Sequence, residues 1–226
     1  MVTIRLFSAR ACPFAHRSRL VLTHKDVSFE LVEIDLRNKP AWFDSKLSGY
    51  GKVPAIEHGE VRLWESAVIN EYLDEVFQEP RLLPSDPGRR AVARIWIDYA
   101  NTRLAPAFGK LLRASAAAEQ AAASRELQEV LGFLERDGLA RCSGDGPYFL
   151  GDAPSLVDFA LYPWFERWSG LEYYRGLRVP SEHARLTRWR DALQQLAAVR
   201  AHENPTEFYV ERYAALAGAR AGAVVA

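Results

Sequence analysis

Two residues in the 226-residue chain carry a thiol, Cys12 and Cys142, and their settings differ. Cys12 follows an alternating segment, Val2-Thr3-Ile4-Arg5-Leu6-Phe7, and precedes a helical stretch, so it stands at a strand-to-helix junction. Unpaired N–H groups and the dipole at a helix start favour negative charge, which stabilises thiolate over thiol. Pro13 fixes the first helical turn and removes one N–H without loss, leaving the remaining donors to face the sulfur. A free cysteine at a helix start also serves elsewhere as a small buried hydrophobe; Pro13 favours the reactive reading. A dithiol Cys-x-x-Cys centre needs a second thiol at position 15, where Ala15 stands, so monothiol chemistry is expected. Cys142 lies far away beside a Gly-rich loop and is read as inert. His16, His24, His58, His183 and His202 show no metal-ligand spacing, and no metal is expected. The chain has no phosphate-binding Gly-rich loop, no GxSxG and no carboxylate pair that asks for a catalytic reading.

The elements that must position Cys12 follow from the pattern. After the first strand, Ser8-Ala9-Arg10-Ala11 is a short connection, and helical character runs from Arg17 up to Lys25. Phe29 to Ile34 reads as a second strand, and Lys39-Pro40-Ala41-Trp42-Phe43 as the start of a short helix. Pro54 to His58 and Val61 to Trp64 read as two short strands around a Gly59-Glu60 turn. A helix from Ser66 to about Phe77 would put Val68, Ile69, Tyr72, Leu73 and Val76 on one apolar face. Between Glu79 and Gly88, four prolines and glycines with Ser85 and Asp86 mark a linker.

Beyond it the pattern is helical: Ala91 to Leu112, Ala116 to Leu139, a break at Ser143-Gly144-Asp145-Gly146-Pro147, then helices near Glu182 to Ala198 and Thr206 to Leu216. Ser155 and Asp158 have capping-box spacing, with Pro154 and Phe159 as the accompanying staple, a folding device without chemistry. The small-residue tail from Ala217 to Ala226 is expected to fray.

Composition narrows the partners. Apolar residues make up 49% and charged residues 26%, as in soluble globular proteins, and 29 basic residues balance 29 acidic ones. That neutrality offers no electrostatic case for nucleic acid or an anionic membrane surface. No segment approaches the ~20 apolar residues of a spanning helix, and Met1 to Phe7 lacks a leader's basic and apolar regions. With only two cysteines, a reducing, cytoplasmic location is expected.

The run Ser8-Ala9-Arg10-Ala11-Cys12-Pro13-Phe14-Ala15-His16-Arg17 resembles the omega class of cytosolic glutathione transferases. Asn38-Lys39-Pro40-Ala41-Trp42-Phe43, Val53-Pro54, Leu63-Trp64-Glu65-Ser66, Tyr72-Leu73-Asp74-Glu75 and Pro163-Trp164-Phe165-Glu166-Arg167 agree with that class in the same order. One departure is Ser48-Gly49-Tyr50-Gly51-Lys52, where the family usually carries an Asn-Pro-Phe-Gly type of run. The resemblance implies an α/β thioredoxin-like domain over residues 1–79, a linker over 80–88, an all-α domain over 89–226, and a homodimer.

It also implies a glutathione site. Ser66, at a helix start, would bind the γ-glutamyl carboxylate and Glu65 the γ-glutamyl ammonium. Val53, before a cis Pro54, would pair its backbone with the cysteinyl part, and Lys39 would meet the glycine carboxylate. Phe14 and Trp164 would wall the co-substrate pocket, although Tyr162, Trp164, Phe165 and Trp168 together also describe a packed helix core. The activity implied is glutathione-dependent thiol transfer through a Cys12–glutathione disulfide, with dehydroascorbate reduction or reductive thioether cleavage as variants. Two alternatives stay open: a conjugating transferase, for which Ser8 is the nearby hydroxyl, and a non-catalytic interaction module.

Overall fold

Ile4, Leu6, Phe7 and Ser8 are all buried in the first strand, β1 (Ile4–Ser8), and only Arg5 reaches solvent. A strand buried on both faces belongs inside a sheet covered by helices, and β1 occupies such a place. The sheet order is β2-β1-β3-β4, with β2 (Phe29–Glu33) parallel to β1, β3 (Ala55–His58) antiparallel to β1, and β4 (Val61–Trp64) antiparallel to β3. Gly59 turns the β3–β4 hairpin at φ 62°. The structure is a computed structural model that describes residues 3–43 and 51–218. Val2, Ser48, Gly49 and Tyr50 lie outside the described residues, as does most of the tail expected to fray.

The chain divides into two compact units, Met1–Ala93 with Gln195–His202, and Arg94–Gln194 with Glu203–Ala226. The segment 80–88 falls inside the first, and the division comes within the helix that follows it.

In the first unit, α1 (Pro13–His24) lies against β1, α3 (Ser66–Val76) and, from the other end of the chain, α11 (Ala197–His202). Neighbours on three sides bury Ala15 through Leu22 without a break, polar His16, Arg17, Ser18 and Arg19 included. A short α2 (Ala41–Phe43) brings Phe43 and Trp42 beside Phe7, at ring separations of 6.1 and 5.9 Å.

The apolar face expected on α3 needs correction. Ile69 and Leu73 are buried, but Val68 is 54% and Val76 43% exposed, and Tyr72 is half-buried with its hydroxyl 2.9 Å from His58 Nδ1. The buried stripe is Ser66, Ile69, Asn70, Leu73 and Asp74, because polar residues every four positions meet polar residues of α1.

The segment after α3 is tied down by a buried ion pair. Lys25 Nζ lies 2.7 Å from Asp74 Oδ1 and donates to the carbonyls of Phe77 (2.7 Å) and Pro80 (2.6 Å). Asp74 in turn accepts the N–H groups of Leu82 (2.8 Å) and Leu83 (2.9 Å). Three acceptors satisfy the ammonium, which is what makes its burial tolerable.

Helix α4 (Pro87–Tyr99), within which the division falls, continues in the second unit through a π-wound stretch, Ala100–Leu104, into α5 (Ala105–Arg113). Pro106, which cannot donate to a preceding turn, stands two residues past the end of the irregular winding. Next come α6 (Ala117–Phe133), a second π-wound stretch (Leu134–Leu139) and α7 (Ala140–Cys142). The chain then forms α8 (Leu156–Glu166), α9 (Trp168–Arg175), α10 (Ala184–Gln194) and α12 (Thr206–Tyr213). The single helix expected near Glu182 to Ala198 is two, α10 and α11, assigned to different units.

Asp158 is a polar centre of the second unit. Its fully buried carboxylate accepts from Ser155 N–H (2.7 Å), Ser155 Oγ (2.6 Å), Phe149 N–H (2.8 Å) and Trp189 Nε1 (2.6 Å). Burial pushes its pKa up while these four donors pull it down. The capping pair read from sequence therefore also anchors α10 and the loop at Phe149.

Candidate active site

Cys12 is the N-cap of α1, at φ −80° and ψ 119°, with Pro13 in the first turn. Its N–H donates to Ala9 O (2.8 Å) and its carbonyl accepts from His16 N–H (3.0 Å), so the backbone of the tip is fixed from both sides. The side chain is half-buried against a cluster of Phe7, Ala9, Ala15, Ile34, Phe43, Val53 and Ala55. The sulfur makes no capping hydrogen bond to the first turn of the helix; its S–H donates to the carbonyl of Val53, 3.6 Å away.

Val53 and Pro54 are buried and joined by a cis peptide bond, next to the start of β3. The edge of backbone expected to receive a peptide therefore lies against the thiol. Glu65 is exposed and takes φ 67°, ψ 114°, one of two non-glycine residues among the described ones with positive φ. Such a conformation costs on the order of 1–3 kcal/mol and persists where the surroundings over-determine it. It directs Glu65 outward while Ser66, the first residue of α3, turns inward and is 3% exposed.

Sequence reasoning missed what stands behind Ser66. Arg17, 1% exposed, donates through Nη1 to Ser66 Oγ at 3.3 Å, and its guanidinium carbon lies 4.9 Å from the centre of the Phe14 ring. An accepting Ser66 oxygen leaves its own O–H to donate to an anion. Two further contacts join the helices, Ser18 Oγ donating to Asn70 Oδ1 (2.8 Å) and the Lys25–Asp74 pair. Early residues of α1 thus meet early residues of α3 and late residues meet late ones, so the two helices run in the same direction with their N-termini at one end. Both positive dipole ends lie at that end, where an anionic ligand is favoured. The signal in the sequence was the four-residue spacing of Ser66, Asn70 and Asp74 within an otherwise apolar stripe.

Lys39 is exposed, and its Nζ donates to Gly51 O at 2.7 Å. Ser8, the hydroxyl named for a conjugating mechanism, is fully buried and accepts from Arg19 Nη1 at 2.6 Å. Trp164 belongs to the second unit, 7% exposed, with Phe108 at 5.5 Å between ring centres and the Arg167 guanidinium 5.6 Å from its ring. It does not line the cleft of about 650 Å³ in that unit, which Glu166, Arg178, Arg190 and Thr206 border. Among the described residues, no group of three His, Cys, Asp or Glu side chains is placed to hold a metal ion, and no helix is long and apolar enough to cross a membrane.

Comparison with known proteins matches both halves of the chain. The family model of the glutathione S-transferase N-terminal domain covers residues 2–75, and that of the glutathione S-transferase C-terminal domain covers residues 101–192. Glutathione S-transferase omega-1 of Sus scrofa is 33% identical over 207 residues, 90% of this chain and 82% of that protein. Two solved structures superpose over nearly all of it. A rice glutathione S-transferase in complex with glutathione is 30% identical with a TM-score of 0.86, covering 96% of this chain and 97% of its own. The dehydroascorbate reductase of Chlamydomonas reinhardtii is 26% identical with a TM-score of 0.77, over 93% of this chain and 97% of its own. A half-exposed monothiol at a helix start beside Val53-Pro54, a thioredoxin-like sheet followed by a helical unit, and these matches over both parts agree: the chain belongs to the glutathione S-transferases, in their omega class.

Proposed function

We propose that the protein is a glutathione-dependent thiol transferase whose nucleophile is Cys12. The observation that carries the reading is the placement of the Cys12 sulfur 3.6 Å from the Val53 carbonyl, on the backbone edge that would hold the cysteinyl residue of glutathione. A tripeptide held there through Val53 has its own sulfur next to that of Cys12. Ser66 and the α1 and α3 N-termini receive the γ-glutamyl carboxylate, Glu65 its ammonium, and Lys39 the glycine carboxylate.

In the first step the Cys12 thiolate attacks the glutathione sulfur of a mixed disulfide RS–SG. The Cys12–SG bond forms, the RS–SG bond breaks, and the electron pair leaves on RS⁻, which takes up a proton. In the second, the thiolate of a second glutathione attacks Cys12–SG, giving oxidised glutathione and restoring the Cys12 thiolate. The net change is RS–SG + GSH → RSH + GSSG, a disulfide exchange that consumes one glutathione. With dehydroascorbate the Cys12 thiolate adds to a carbonyl carbon, one glutathione thiolate attacks the Cys12 sulfur to form Cys12–SG as ascorbate leaves with the electron pair and takes up protons, and a second glutathione releases Cys12 as oxidised glutathione. The likeness to a dehydroascorbate reductase supports it as a substrate.

A conjugating transferase needs a hydroxyl that stabilises glutathione's own thiolate. The burial of Ser8 and its engagement with Arg19 speak against that role. Phe14 lies in the first turn of α1, where it would border the co-substrate. For Trp164 the proposal is separate: Trp164→Ala impairs bulky aromatic substrates more than small disulfides, and equal losses with the fold intact assign it to the core alone. A homodimer, in the cytoplasm, is proposed as well. In the first unit Val61, Trp64, Val68 and Val76 are exposed apolar side chains for such a contact, and sedimentation at micromolar concentration that finds only a 25.5 kDa species rules it out.

Cys12→Ser tests the central reading. It abolishes thiol transfer, because a serine oxygen forms no disulfide, while glutathione binding through Glu65 and Ser66 survives. Full transfer activity in Cys12→Ser would return the conjugating mechanism.

A further inference from the structure

The seam between α1 and α3 carries more polar contacts than packing requires. Hydrophobic contact is non-directional, so apolar residues such as Ile69 and Leu73 press two helices together without choosing one register among several. Hydrogen bonds choose. Arg17–Ser66 at 3.3 Å, Ser18–Asn70 at 2.8 Å and Lys25–Asp74 at 2.7 Å form three successive rungs along α3, spread over two turns or about 12 Å. Sliding one helix past the other by one turn, about 5.4 Å, breaks all three at once and leaves buried polar groups unsatisfied.

The outer rungs have other duties. Arg17 touches the Ser66 anchor itself, and the Lys25–Asp74 pair holds the segment from Phe77 to Leu83. The middle rung joins two side chains that touch neither Cys12 nor Val53, Glu65 or Ser66 in any contact described above. Ser18 is fully buried and Asn70 is 4% exposed. A solvent-excluded hydrogen bond of this kind has no packing advantage over a pair of apolar side chains of the same shape.

We infer that Ser18 and Asn70 are positioning residues for thiol transfer: their hydrogen bond sets the register of α1 against α3, and so the place of the Cys12 sulfur relative to the Ser66 anchor at the same end of the helix pair. The inference rests on the roles proposed above for Cys12 and Ser66. Because Ser66 and Glu65, at the start of α3, hold the γ-glutamyl end, a small slip of α1 displaces the sulfur from its target while those two contacts remain. Displacements of this order near a reacting pair cost up to roughly a hundredfold in rate.

The experiment measures, for the full chain, the rate of formation of the Cys12–glutathione disulfide from saturating oxidised glutathione, divided by the folded fraction, alongside glutathione affinity by calorimetry. In Ser18→Ala the rate per folded molecule drops by roughly tenfold or more while glutathione affinity stays within about threefold, and Ser18→Thr, which keeps the hydroxyl, restores the rate. Asn70→Leu, with similar volume and no acceptor, reproduces the Ser18→Ala result and takes its place if that variant does not fold. A rate per folded molecule within twofold of the parent in the alanine or leucine variant overturns the inference. So does equal loss in Ser18→Thr, and failure of both Ser18→Ala and Asn70→Leu to fold would make the pair a stability element only. If the parent protein itself forms no disulfide at Cys12, the reading of Cys12 has failed, a result separable from failure of the register.

Discussion

The two units bury polar groups in different ways. In the first, polar contacts are strung along the α1–α3 seam, and the thiol and the serine anchor stand at one end of it. In the second, polar contacts gather at two carboxylates, Asp158 and Glu166, the latter accepting from the Tyr209 hydroxyl and from Asn204 Nδ2 (3.3 Å) beside the buried Arg167, while the surrounding seams are aromatic, with Phe108, Trp164, Phe165, Trp168 and Trp189 at ring separations of 5.0 to 5.8 Å. Distributed hydrogen bonds fix the relative position of two helices, whereas separate hubs with aromatic packing between them fix local chain paths and fill volume. The thiol is in the unit that fixes position.

The contrast can be broken most forcefully at its hubs. Asp158→Ala strips four donors of their acceptor, and at ~1–3 kcal/mol for each buried unsatisfied group the loss is at least about 4 kcal/mol of stability. Denaturant unfolding reads it, and hydrogen exchange should show the loss of protection first in α8, α10 and the loop at Phe149. A loss under about 1 kcal/mol would mean that the hub is not a hub.

Lys25→Met leaves Asp74 buried without its cation, which costs about 3–5 kcal/mol. Exchange should quicken in residues 77–83, whose carbonyls and N–H groups that pair holds, and unchanged protection there would separate the ion pair from the segment it touches.

A smaller effect, confined to the ligand, is expected at the anchor. Ser66→Ala removes a charge-assisted hydrogen bond of about 1.5–3 kcal/mol, a loss of more than roughly tenfold in glutathione affinity by calorimetry, with the fold kept. Unchanged affinity would take Ser66 out of the site.

A further effect concerns pH. Burial, and secondly the charge of Arg19, push His202 down to about 4, where its Nε2 lies 2.7 Å from Thr23 Oγ1 and joins α11 to α1. The folded form keeps the ring neutral, whereas the unfolded chain protonates near 6.5, so the stabilisation is complete above about 6.5 and fades as pH falls towards about 4. The stability difference between the parent and His202→Gln should shrink across that window, and a difference that stays constant would deny the linkage.

Much of this was readable before the structure. Alternation gave β1, residue type gave β2, the Gly59-Glu60 turn gave the β3–β4 pair, Pro13 gave the helix start that carries Cys12, and the Ser155–Asp158 spacing gave the cap of α8, because each is a local pattern. What stayed hidden depends on tertiary neighbours. Val68 and Val76 looked like core by period, yet the polar stripe of Ser66, Asn70 and Asp74 faces inward because Arg17, Ser18 and Lys25 stand opposite. The break between α10 and α11 carries no proline or glycine, and the strained backbone of Glu65 has no local signature at all.

The most direct test of the proposed chemistry is intact-mass and peptide mass spectrometry of the parent protein after brief exposure to oxidised glutathione. One glutathione should be found per chain, on the peptide containing Cys12 and not on that containing Cys142, and reduced glutathione should remove it at a rate matching turnover. Thiol transfer that proceeds with no adduct on Cys12, or with the adduct only on Cys142, would contradict the mechanism.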